Sequence, residues 1–188
     1  MGPMRATSPS APVRYVALLR GINVGGHVVK MDRLRQVFTD LGLDNVRSYI
    51  NSGNVFFDTS ATDRASLTET IERALHDALG YAVPTFLRTP EELNAVLDRD
   101  PFAEIVKTDD LRFCVMFTSE PLDRELQLPV STPRNDMDIV AVNEFEAYVI
   151  WRLIDGRVTG KFSADVLPTR NTTRFFHTLK KILAAAAS

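Results

Sequence analysis

The 188 residues suit one sizeable domain or two small ones, and 22 Lys and Arg against 24 Asp and Glu leave a formal net charge of -2. A chain so balanced is poorly suited, as a whole, to non-specific binding of nucleic acid or membrane, although a local basic patch stays open. The single cysteine, Cys114, excludes an intrachain disulfide and fits a reducing, cytoplasmic compartment, and no apolar run approaches the roughly 20 residues of a membrane span.

Residues 1–12 are small and polar, carry three prolines and lack an apolar signal core, so they read as a disordered leader. Tyr15 to Leu19 is apolar on both alternate faces, the pattern of a strand covered on both sides. Gly21, Gly25 and Gly26 break it. Met31, Leu34, Val37, Phe38 and Leu41 recur at helical spacing, with Gly42 at the position of a left-handed cap. Val46 to Ile50 and Val55 to Phe57 read as a hairpin about the Asn51-Ser52-Gly53-Asn54 turn. Leu67 to Leu79 is a second amphipathic helix stopped by Gly80, and Tyr81 to Leu87 a fourth strand. The order is β-α-β-β-α-β, the ferredoxin-like arrangement.

Thr89-Pro90-Glu91-Glu92 has the form of a capping box with proline at the first helical position. That short helix ends before the Asp100-Pro101-Phe102 turn. Beyond it the spacing predicts a strand at Leu111 to Phe117, a short helical patch near Asp123 to Leu126, strands at Asp138 to Val142 and Phe145 to Trp151 about an Asn143-Glu144 turn, and a final helix from about Thr172 to Ala187. The second half is then β-α-β-β-α, the first order without its last strand. The chain divides into subdomains at 13–88 and 89–188, two ferredoxin-like units of an α/β (α+β) protein with helices packed on antiparallel sheets.

In the ferredoxin-like order the first and second strands run parallel with the third antiparallel between them. The carboxyl end of the first strand, the hairpin turn and the amino end of the first helix therefore share one end of the sheet. One reading is an anion site. Glycines let backbone N–H groups approach an oxyanion, and the helix amino terminus favours negative charge. Arg20 and Lys30 add charge, and Asn23, Ser52 and Asn54 add hydrogen-bond donors. The other reading is structural: the glycines satisfy loop dihedrals and Arg20 pairs elsewhere.

Named chemistries are mostly excluded. Gly21 and Gly26 have P-loop spacing, but His27-Val28 replaces the Lys-Ser/Thr pair, so an NTPase is rejected, and no G-x-G-x-x-G marks a dinucleotide fold. Phe56, Phe57, Tyr15 and Tyr49 read as core residues and not as the stacking aromatics of an RNA-recognition sheet. His27, His76 and His177 make no metal set, and His27 is the only residue offered as a base. Cys114, among Phe113, Val115 and Met116, reads as a core thiol. Arg174, His177 and Lys181 read as one solvated basic face of the last helix, opposite Phe175, Leu179 and Ile182.

With these residues in view, the sequence resembles a widespread bacterial family known only as a domain of unknown function. The resemblance rests on L-L-R-G-I-N-V-G-G at Leu18 to Gly26, on Lys30, Met31 and Leu34, on Tyr49 to Phe57, on Pro101-Phe102, and on Thr169-Arg170-Asn171. The family usually continues with a tryptophan and an asparagine where Thr172 and Thr173 stand here. The resemblance implies an α/β protein of two ferredoxin-like halves and no established activity. The expected ligand-binding set is Arg20, Gly21, Asn23, Gly25, Gly26, Lys30, Ser52, Gly53, Asn54, Arg170 and Asn171, with no metal and no cofactor. The expected function is a binding protein for a phosphorylated small molecule or a nucleic-acid end. An enzyme using the same cleft, and an assembly module dimerising through a sheet edge, are the alternatives.

Overall fold

The computed structural model describes residues 10–188, so nine of the twelve residues of the expected leader lie outside the described residues. The elements are β1 (Val13–Leu19), α1 (Met31–Asp40), β2 (Asp44–Ser48), β3 (Asn54–Thr59), α2 (Arg64–Leu79), β4 (Thr85–Arg88), α3 (Pro90–Arg99), β5 (Leu111–Thr118), β6 (Val130–Ser131), β7 (Met137–Val142), β8 (Glu146–Arg152), β9 (Asn171–Phe175) and α4 (Phe176–Ala187). Two antiparallel sheets result, β2-β3-β1-β4 and β6-β7-β8-β5-β9, which we call the first and second sheets. The α+β class and the antiparallel sheets are as the sequence led us to expect.

The doubly apolar β1 lies inside the first sheet. Tyr15, Ala17 and Leu19 meet Leu34, Phe38, Ile71 and Leu75 of α1 and α2 on one face. Val16 and Leu18 turn the other way, toward Leu93 and Val96 of α3 and Leu179 and Ile182 of α4. The same cluster takes in Val115, Phe117, Tyr148 and Ile150 of the second sheet. Helices α3 and α4 thus pack between the two sheets. The far face of the second sheet, with Cys114, Ile139 and Val149, is covered by Leu122, Leu167 and their loops.

Local chemistry accounts for the ends. Thr89 accepts from the Glu92 N–H at 3.2 Å and Glu92 Oε2 accepts from the Thr89 N–H at 2.8 Å, the reciprocal capping box. Gly80 closes α2 at φ 82° with its N–H on the His76 carbonyl at 2.8 Å. Pro84 delays β4 to Thr85, so Tyr81 to Val83 is connection and not strand.

The second half departs from expectation in three places, of which the short strand β6 at the sheet edge is the smallest. No helix forms near Asp123 to Leu126. Asp123 Oδ1 instead accepts from the Glu125 N–H at 2.9 Å, a local bond that competes with helix formation. Residues 171–175 are strand, so α4 begins at Phe176 and not at Thr172. Thr172, Thr173 and Phe175 are strand-favouring residues, and their pairing with β5 decides the matter. The order β7-β8-β5-β9 therefore repeats the plan of β2-β3-β1-β4 with a last strand present and the intervening helices replaced by loops.

Two buried groups carry testable consequences. Cys114 is fully buried, and burial pushes its thiol well above the usual range despite the opposing charge of Arg112. A thiol reagent should therefore label the native protein far more slowly than the unfolded chain, read by mass spectrometry. Asp136 accepts from Thr132 Oγ1 at 2.7 Å and from the N–H groups of Thr159 and Gly160 at 2.8 and 2.7 Å. Those bonds, the threonine hydroxyl first, hold its carboxyl down to about 2. A carboxyl depressed in the folded state adds stability that is complete above its ordinary value near ~4 and is lost as pH falls through about 2. Replacing Asp136 by Asn should flatten that part of the acid-unfolding curve, followed by fluorescence of Trp151, the chain's one tryptophan.

Candidate functional site

The glycine loop and the hairpin do meet at one end of the first sheet. Leu18 pairs with Asn54, and the Leu19 N–H donates to the Gly53 carbonyl at 2.8 Å. Gly53 sits at φ 79°, and a Cβ there would lie 3.0 Å from the side chains of both Leu19 and Ile22, so close approach as well as dihedral requires glycine. Asn23 ties the two loops together: its Nδ2 donates to the Asn51 carbonyl at 2.8 Å, and its Oδ1 accepts from the Val29 N–H at 2.6 Å.

The residue that organises this end is Arg174, which the sequence placed on a solvated helix face. It lies buried on β9, and its side chain enters the other half of the fold. Nε donates to Asn54 Oδ1 at 2.7 Å. Nη2 donates to the carbonyls of Leu19 at 2.9 Å, Gly53 at 3.2 Å and Ser52 at 3.4 Å, and Nη1 to Thr172 Oγ1 and the Thr173 carbonyl. No carboxylate pairs with it among the described residues; neutral oxygens take all its donors. Burial in that setting pushes its guanidinium down to about 10, which leaves it charged at neutral pH.

Most of the expected donors are engaged in this junction. Arg20 Nη1 donates to the carbonyls of Thr169 at 2.7 Å and Asn171 at 3.1 Å. Asn54 is fully buried, and its Nδ2 donates to the Tyr49 carbonyl and to Ser52 Oγ. Asn171 Nδ2 donates to the Pro168 carbonyl at 2.6 Å. Arg20 and Arg174 between them cover outward carbonyls of β9, an edge strand, and Glu72 accepts from the Thr85 N–H on the β4 edge at 2.7 Å. Such capping blunts these two of the four sheet edges against strand addition. Gly21, Gly25, Gly26 and Lys30 remain at the surface, with positive φ at the three glycines, and Lys30 opens α1 without a side-chain cap.

Arg170 alone of the expected set faces a substantial cavity. This cleft has a volume of about 700 Å³ and lies between α2, α3, the β4 edge and the β7–β8 turn. Phe86, Val96 and Phe145 give it an apolar lining. At its inner wall Arg88 Nε donates to Glu146 Oε1 at 2.8 Å, with both residues buried, while Nη2 donates to the Thr118 carbonyl at 3.2 Å. At its rim Arg64 holds both oxygens of Glu92 at 2.9 and 3.1 Å, and Arg170 pairs with Glu72. Every arginine in the cleft is therefore matched by a glutamate, and Glu69 and Glu144 lie exposed beside them. No single stretch announces this cavity, because its walls come from α2, β4, α3 and the β7–β8 turn, with Thr118 and Arg170 added from further along the chain. The one local pattern that touches it is Glu69 and Glu72 three residues apart on α2, which reads as an ordinary solvated face.

An α+β protein with two antiparallel sheets, a shared helical layer and one charged cleft is the class defined by these features. Residues 13–148 match the family described as a protein of unknown function (DUF1697), and the chain belongs to that family. Thr169 to Arg174 lie outside the matched residues. The solved structure of a conserved bacterial protein, SP0830 from Streptococcus pneumoniae, is similar at 28% identity with a TM-score of 0.65, covering 95% of this chain and 100% of that one. No curated protein matches the chain. Among the described residues no helix is long and apolar enough to cross a membrane.

Proposed function

We propose that the protein binds a small organic molecule in the α2–α3–β4 cleft, and that this molecule carries both an apolar body and opposite charges, as an amino acid or short peptide does. The carrying observation is a cavity of about 700 Å³ with apolar walls and arginine–glutamate pairs at its rim and inner wall. That volume is within the usual range for small-molecule sites, and convergent polar groups on an apolar lining fix orientation. Three arginines against five glutamates favour a zwitterion over a simple anion.

A second reading keeps the anion at the glycine loop, where Lys30 begins α1 with no side-chain cap and Gly25 and Gly26 lie exposed. A thermal-shift screen of amino acids, dipeptides, phosphosugars and nucleotides separates the two. A ligand at 100 times its Kd should stabilise the fold by about 2.7 kcal/mol. In the cleft reading, Arg170→Ala abolishes that gain and Lys30→Ala leaves it intact. The reverse pattern moves the ligand to the loop and overturns the cleft.

A further inference from the structure

The outer face of the second sheet packs under loops, and at one end three rings gather beside basic side chains. Facing residues follow the register. Arg112 stands opposite Trp151 across β5 and β8, and Cys114 stands opposite Phe175 across β5 and β9. Cys114 is buried, but Phe175 at the sheet edge is 37% exposed. Trp151 and Phe175 meet edge to face with centroids 5.7 Å apart. Phe175 and His177 lie nearly parallel, 10° and 5.8 Å apart. His177 opens α4 on its solvent side, and Lys181 follows one helical turn later, also exposed. Lys107 is exposed in the loop that enters β5. Burial first, and then the charges of Lys107, Lys181 and Arg112, push the His177 imidazole below its ordinary value, so three cations bear on one ring. The same loop carries Asp109 and Asp110, and the Asp110 carboxylate accepts from Thr108 Oγ1 at 2.5 Å.

Phe175 and His177 stand exposed where the edge strand β9 runs into α4, with the half-buried Trp151 of the interior strand β8 against Phe175, and rings so placed with cations at their flanks match unpaired bases and their phosphates. A duplex keeps its bases stacked inside and offers nothing to the rings. We propose that the Trp151–Phe175–His177 surface binds single-stranded nucleic acid, its bases stacking on Phe175 and His177 and its phosphates meeting Lys107, Arg112 and Lys181. The surface shares no residue with the α2–α3–β4 cleft. The whole-chain charge of -2 makes this concentration a local property and not a general affinity for polyanions.

Because Trp151 is the chain's one tryptophan, its fluorescence reports on this surface alone. The probe is an oligothymidylate of about 12 nucleotides, within the span that single-strand sites cover. It is used unlabelled for tryptophan quenching and labelled for anisotropy. Saturable quenching with a parallel rise in anisotropy is expected, weakening as salt is raised. Phe175→Leu keeps an apolar side chain but removes the ring, and should weaken binding about fivefold or more, the lower end of stacking losses. Lys107→Glu together with Lys181→Glu, both at exposed positions, should weaken it further and flatten the salt dependence without moving Tm. Absence of quenching up to about 100 µM, the weak end of nucleic-acid affinity, overturns the proposal. So does undiminished affinity in Phe175→Leu, equal binding of a duplex of the same sequence, or the same quenching by inorganic polyphosphate.

Discussion

Replacing Arg174 by Met should destabilise the protein by about 3–5 kcal/mol, because several buried neutral acceptors lose their donor at about 1–3 kcal/mol for each left unsatisfied. In a chain of this size that corresponds to a fall in Tm of about 6–20 °C. The physical reason is what remains. Methionine fills much of the volume, but the Leu19 and Gly53 carbonyls and Asn54 Oδ1 lose a charged donor in a place closed to solvent. Arg174→Lys should recover part of the loss, since an ammonium keeps the charge and has three donors where the guanidinium has five. Urea unfolding of the three proteins measures this directly. A loss under about 1 kcal/mol for the methionine variant would mean that water serves those carbonyls and that Arg174 does not lock the junction.

Glu146→Ala should have an effect of similar size for a different reason. It leaves the Arg88 guanidinium buried without its counter-ion, against the rings of Phe117 and Phe145 at 5.5 and 6.0 Å. Breaking one member of such a pair typically costs about 3–5 kcal/mol, whereas exchanging both members for apolar residues of similar volume is often neutral. The double variant Arg88→Met with Glu146→Leu should therefore regain most of the loss. A double-mutant cycle by denaturant unfolding gives the coupling. If the double variant is no more stable than Glu146→Ala, the pair contributes more than charge compensation, and its bonds to the Thr118 and Leu87 carbonyls carry the difference.

The two motifs that dominate the sequence, Leu18 to Gly26 and Tyr49 to Phe57, acquire a structural meaning from these contacts. Arg20, Asn23, Gly53 and Asn54 are engaged with each other's loops or with residues 169–174. They lie at a junction where two loops, a strand edge and a buried cation fit together.

The sequence by itself determined whatever depends on near neighbours. The Thr89–Glu92 capping box and the glycine caps are interactions within a few residues, and the two-sided apolar run of β1 and the helical spacing of α1 and α2 are local patterns; each element formed as its pattern required. The ferredoxin-like order of the first half then followed, because a split β-α-β unit with a hairpin has few ways to pack. Tertiary structure decided the rest. Thr172 to Phe175 is a strand only because β5 offers it an edge, and a window of local propensity cannot see a partner more than 50 residues earlier. Arg174 reads as a surface residue in any helical wheel, and its burial depends on oxygens from 120 to 155 positions away. The cleft likewise exists only where α2, α3, β4 and the β7–β8 turn converge, each carrying arginines or glutamates that would be ordinary solvated charges on an isolated element.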